Sequence, residues 1–154
     1  MHGAGGELFE MVEGQLSPDG THVGLDLVDV DRFQRAITRH PHLEDRLFTA
    51  VEIAYCRDRG RPALHFAARF AAKEAIGKLL GTGVLSWQEI EVVCERVGGP
   101  PSVRLSGKTA ERAAELAIAS VRVSLSHVDS LAGACVAAVA CSSRGGHDGR
   151  VSDR

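Results

Sequence analysis

The segment PALHFAARFAAKEAIGKLLG, Pro62 to Gly81, constrains this chain more than any other. Its proline sits where a first-turn proline belongs, its interior is rich in Ala and Leu, and its glycine can close the last turn. The spacing predicts one long helix from Pro62 to about Leu80. At about 100° per residue, Leu64, Ala68, Ala71, Ala75 and Leu79 share one face, which should pack on a sheet. Arg69 and Lys73 then border one edge of the remaining arc, and Glu74 and Lys78 the other. A Glu–Lys pair at this spacing on a wet surface contributes only ~0.2–0.5 kcal/mol. Taken alone, the helix reads as a packed face backed by a solvated one.

The segments around it point to a mixed fold. HVGLDLVDV alternates Val23, Leu25 and Leu27 with Gly24, Asp26 and Val28, the period of a strand. Asp29 or Asp31 can cap a short helix through RFQRAITRH, which Pro41 ends. Thr49 and Glu52 form a capping box for a helix reaching about Asp58, with Phe48 and Ile53 placed as a hydrophobic staple. EIEVVCERV and PSVRLSG read as strands joined through Gly98–Pro101, and KTAERAAELAIAS as a helix. VRVSLSH and LAGACVAAVA flank VDS as a closing hairpin. The expected class is α+β, with an antiparallel sheet packed against the long helix.

At 154 residues the chain is the size of one domain. The folded unit is expected over residues 22–141, between a Gly-rich flexible extension (1–21) and a polar flexible tail (142–154). With 25% charged residues and a net charge of −2, nothing suggests bulk nucleic-acid binding. LAGACVAAVAC is too short to span a membrane, and the N-terminus lacks a basic segment leading into an apolar one. The four cysteines have no structural-zinc spacing and read as free thiols. The expectation is a cytoplasmic protein.

Asp26 bears on the helix. It is a carboxylate within a strand of Val and Leu, an awkward place for an unpaired charge. Carboxylates from two separate elements, Asp26 and Glu74, suit Mg²⁺, which completes its shell with water and substrate phosphates. Arg69, Lys73 and Lys78 could then face phosphate oxygens. His127 ends the strand VRVSLSH. A triad of Ser126, His127 and Asp129 is disfavoured, because there is no GxSxG elbow and immediate neighbours rarely reach that geometry.

GLDLVDVDRF, RFAAKEAIGKLLGTG and VSLSH, in this order, resemble the motifs of the holo-acyl-carrier-protein synthases. These are the small bacterial 4′-phosphopantetheinyl transferases. LFTAVEIAYC, WQEIEVV and GGPPSVRLSG are similar to the family's connecting segments, so the resemblance runs from about Val23 to Val139. It implies transfer of the 4′-phosphopantetheine arm of coenzyme A to a serine of apo acyl carrier protein, releasing adenosine 3′,5′-bisphosphate. Fatty acid or polyketide synthesis would be the setting.

The resemblance further implies that Asp26 and Glu74 bind Mg²⁺, and that Arg69, Lys73 and Lys78 contact coenzyme A phosphates, Lys78 as part of the catalytic set. Gly81, Thr82, Gly83, Pro101, Ser102 and His127 would line the nucleotide end. Arg32 would dock an acidic carrier protein, and Arg35 on the same helix is a second candidate. Family members are typically homotrimers with sites between subunits, which would allow Asp26 and Glu74 to come from different chains. Either Glu74 or a metal-bound water could take the serine proton. Ala50 stands where many members carry an acidic residue, and Leu131 where many carry Tyr. A binding module that holds nucleotide or carrier without turnover is the alternative, which loss of Asp26 or Glu74 would have favoured; both are present.

Overall fold

A computed structural model of the chain describes residues 20–141. The expected extension and tail lie outside these residues, except that Thr21 already opens the first strand. The elements run β1 (Thr21–Asp29), α1 (Val30–Arg39), α2 (Leu43–Leu47), α3 (Ala50–Arg57) and α4 (Pro62–Leu80). After a 3₁₀ turn (Trp87–Glu89) come β2 (Ile90–Cys94), β3 (Pro101–Leu105), α5 (Gly107–Glu115), β4 (Arg122–His127) and β5 (Leu131–Val139).

Local signals set most boundaries. Asp29 caps α1, its carboxylate accepting from Arg32 N at 2.7 Å. Thr49 and Glu52 complete the capping box of α3. The helix start therefore stands without the acidic residue that Ala50 replaces. Pro62 occupies the first turn of α4, and Gly81 ends it at φ 70°, a left-handed conformation suited to glycine. The short helix α2 has no side-chain cap.

The strands are antiparallel, as expected, but they form two sheets: β1–β5–β4 and the hairpin β2–β3. Helix α4 lies across β1 and β5 and also packs against β2, α1 and α3. Five alanines of α4 (67, 68, 71, 72 and 75) are buried. Their small size lets strand backbones come close. At Gly24 the approach is closest, because a Cβ there would overlap the Ala75 carbonyl. Leu64, Phe66, Ile76, Leu79 and Leu80 fill the remaining space, each contributing ~1.5–3 kcal/mol on burial.

Two expectations need correction. The helix is covered on both sides, so Arg69 and Lys73 do not edge a solvated arc; both are buried. In β1, the parity with the apolar side chains faces outward. Val23, Leu25 and Leu27 are exposed, whereas Gly24 and Val28 are buried and Asp26 is half-buried. The outward face continues across β5 through Leu131, Cys135 and Val139, also exposed.

Candidate active site

The inward parity of β1 carries Asp26 toward α4. Lys78, in the last turn of that helix, donates to Asp26 Oδ1 at 2.8 Å and to the Leu25 carbonyl at 3.1 Å. Glu74, one turn earlier, is half-buried. Burial raises its carboxyl above the ordinary range, the Asp26 charge pushes the same way, and Lys78 opposes both. Within one chain, then, the Asp26 charge is felt at Glu74.

Two carboxylates that feel each other's charge, with the Lys78 ammonium on one of them, are a donor set suited to a hard divalent cation. Mg²⁺ commonly uses one or two carboxylates and takes its other ligands from water and phosphate. Among the described residues no group of three or more His, Cys, Asp or Glu side chains gathers as an all-protein cage.

Lys73 does not join this set. Its Nζ donates to Glu52 Oε2 at 2.7 Å, Leu47 O at 2.7 Å and Trp87 O at 2.8 Å. All three ammonium protons are engaged, in full burial, so Lys73 has no donor left for a phosphate. Glu52 is satisfied in turn by the amides of Thr49 and Val92, each at 2.9 Å. The phosphate contact expected of Lys73 is corrected to a pair that ties α3, β2 and the 3₁₀ turn to α4. In the sequence alone, Glu52 is marked only as half of a capping box.

Arg69 belongs to another cluster. Its guanidinium lies 4.1 Å from the centre of the Tyr55 ring, and Arg59 lies 4.3 Å from the same ring. Its hydrogen bonds, to His65 O at 3.4 Å and Cys94 Sγ at 3.9 Å, are long. With 1% of its surface exposed it does not reach solvent as the expected phosphate contact would require. His127, at the end of β4, meets His65 edge-on with ring centres 5.9 Å apart. Burial lowers the His65 pKa, and Arg69, His127 and Arg59 lower it further. This corner is rich in positive charge, and His65 and Tyr55 were missing from the sequence reading because nothing in their spacing marks them. At about 1.5 Å per residue, His65 and Glu74 stand roughly 13 Å apart along α4. Asp129 pairs with Arg61 at 2.8 Å, which places it in an ion pair rather than a triad.

Gly81, Thr82 and Gly83 form an exposed turn at the Lys78 end of α4, with the amides of Thr82 and Gly83 both donating to Gly77 O. Pro101 and Ser102 lie in β3, Ser102 exposed, and β3 packs against β4. Arg32 and Arg35 are exposed on α1. Arg39 falls on the same face, within roughly 60° of arc. A cavity of about 440 Å³ opens at the end of this stripe, lined by Arg39, His40, Pro41, His42, Leu43 and Arg46. The stripe was legible as Arg at positions 32, 35 and 39; the cavity depends on the turn into α2.

A family profile described as the 4′-phosphopantetheinyl transferase superfamily matches residues 22–136. The holo-[acyl-carrier-protein] synthase of Moorella thermoacetica is 47% identical over 113 residues, covering 72% of this chain and 88% of the relative. The crystal structure of the synthase of Neisseria meningitidis is similar with a TM-score of 0.69 at 28% identity, covering 76% of this chain and 96% of that one. The Helicobacter pylori synthase, solved in complex with coenzyme A, gives a TM-score of 0.65 at 28% identity over 75% and 98% of the two chains.

Proposed function

Because the chain belongs to the 4′-phosphopantetheinyl transferase superfamily, among the holo-[acyl-carrier-protein] synthases, we propose that it moves the phosphopantetheine arm of coenzyme A onto a serine of an apo acyl carrier protein. The serine oxygen bonds to the phosphorus on the pantetheine side of the pyrophosphate. The bond from that phosphorus to the bridging oxygen breaks, and adenosine 3′,5′-bisphosphate leaves. The observation that carries this reading is the Lys78–Asp26 pair at one end of α4, with Glu74 one turn earlier and subject to both charges.

Mg²⁺ bound by Asp26 and Glu74 supplies charge neutralisation at the pyrophosphate, the main requirement of phosphoryl-type substitution. Lys78 adds an ammonium that can turn toward phosphate oxygens as negative charge grows on the leaving side. Either Glu74, its carboxyl pushed upward by burial, or a metal-bound water would accept the serine proton. The exposed turn at Gly81, Thr82 and Gly83 lets the cofactor approach backbone closely. The corner around His127, with His65, Arg59 and Arg69 behind it, suits the anionic nucleotide end. Pro101 and Ser102 complete that pocket in our reading.

Arg32 and Arg35, continued by Arg39, dock the acidic carrier. The exposed outward face of β1 and β5, with Val23, Leu25, Leu27, Leu131 and Val139, supports assembly as a homotrimer; Leu131 takes up part of that contact. The four free thiols suit the cytoplasm, with fatty acid synthesis or polyketide synthesis as the setting.

Mass spectrometry of an apo carrier incubated with the protein, coenzyme A and Mg²⁺ tests the reading. Addition of one phosphopantetheine arm at the serine is expected. No addition to any carrier of either the fatty-acid or the polyketide type would overturn it.

A further inference from the structure

The geometry points to a counter-ion exchange at Asp26: in the free protein the Lys78 ammonium occupies the carboxylate that a divalent cation needs, and coenzyme phosphate draws it away. Metal and coenzyme then bind with positive coupling, and Lys78 contributes to its size. This inference rests on the metal-phosphate reading of Asp26 and Glu74 given above.

Lys78 Nζ takes Asp26 Oδ1 at 2.8 Å and the Leu25 carbonyl at 3.1 Å, two contacts that fix the ammonium against β1. A cation arriving at the same carboxylate meets both an occupied oxygen and a like charge. The Lys78 side chain is nevertheless 53% exposed, against 17% for Asp26. Its ammonium can leave one partner for another without crossing a packed interior. Lys73, on the same helix and without exposed surface, has no such freedom.

Glu74 adds to the effect. Its carboxyl responds to Asp26 and to Lys78 in opposite directions, so all three charges act on one another. Withdrawing the ammonium leaves two carboxylates whose charges act on each other with no cation between them, an arrangement that favours a divalent ion. A pyrophosphate offers the ammonium an alternative anion and offers the ion further oxygens. By linkage, whatever coenzyme does for metal affinity, metal does for coenzyme affinity.

Mn²⁺ is the probe, with free ion followed by electron paramagnetic resonance, using the full chain with and without coenzyme A and no carrier. A protein-free titration corrects for ion held by coenzyme alone. Wild type should bind Mn²⁺ weakly by itself and more tightly, by about fivefold to thirtyfold, when coenzyme A is present. Lys78→Met should bind Mn²⁺ alone more tightly than wild type, and the gain from coenzyme A should shrink to what the pyrophosphate oxygens supply by themselves. Lys78→Gln, a second neutral variant, should behave likewise, while Lys78→Arg keeps charge and pairing and should resemble wild type. Mn²⁺ affinity in both neutral variants equal to or below that of wild type would overturn the exchange. Asp26→Asn and Glu74→Gln separate this from the underlying reading: if neither weakens Mn²⁺ binding, the metal site itself is wrong and the exchange falls with it.

Discussion

Lys73 and Lys78 lie on one helix, and each holds a carboxylate: Glu52 at 2.7 Å for the first, Asp26 at 2.8 Å for the second. The distances hardly differ, but the surroundings do. The Lys73 pair has no exposed surface, and backbone groups satisfy what the two side chains do not satisfy in each other. The Lys78 pair opens to solvent on the ammonium side. A buried pair cannot separate without leaving a desolvated charge, whereas an exposed pair can exchange partners. The first therefore serves the fold, and the second is available to chemistry.

The sharpest way to break this comparison is to remove each lysine. Lys73→Met leaves Glu52 buried without its cation and should cost about 3–5 kcal/mol of stability in urea unfolding. Glu52→Leu combined with Lys73→Met should recover much of that loss. Lys78→Met should stay within about 1 kcal/mol of wild type. Equal losses from the two single variants would erase the distinction.

Carrier docking should show a smaller effect. Arg32 and Arg39 lie on one exposed face of α1 and, in the proposed reading, meet the charge of the carrier at the surface. Arg32→Glu should raise the KM for carrier by about threefold to tenfold, more than the KM for coenzyme A, with a penalty that shrinks as salt rises. Equal changes for both substrates would remove α1 from the docking surface.

The smallest effect concerns the other end of α4. Burial and the neighbouring cations hold the His65 pKa below its ordinary value. The unfolded chain therefore takes up a proton first as pH falls. The contribution of His65 to stability is complete above its ordinary pKa of about 6.5 and is lost as pH falls toward the lowered folded value. His65→Gln should flatten the loss of melting temperature between about pH 7 and pH 5. A slope identical to wild type would remove His65 from that balance.

Residues acting within a few positions of one another were legible in the sequence. The Asp29 cap, the Thr49–Glu52 box, the Pro62 start and the Gly81 stop needed only local chemistry, and the structure has each of them. Asp26 and Glu74 stood out through their motifs. Arg69 and Lys73 were misjudged because a helical wheel shows one packed face and cannot show a second layer. Here α3, β2 and the 3₁₀ turn cover the arc left for solvent. The outward turn of Val23, Leu25 and Leu27 was hidden for a related reason. Alternation gives two faces of a strand but not which one the same chain covers.

The most direct measurement is the rate at which Asp26→Asn forms holo carrier protein with saturating coenzyme A and Mg²⁺, alongside its melting temperature. If Asp26 serves the reaction, turnover should fall by about a hundredfold or more, because a lost metal contact removes several kcal/mol of charge stabilisation. Melting should stay close to that of wild type. Turnover within a few-fold of wild type would contradict the assignment of this end of α4 as the reaction centre.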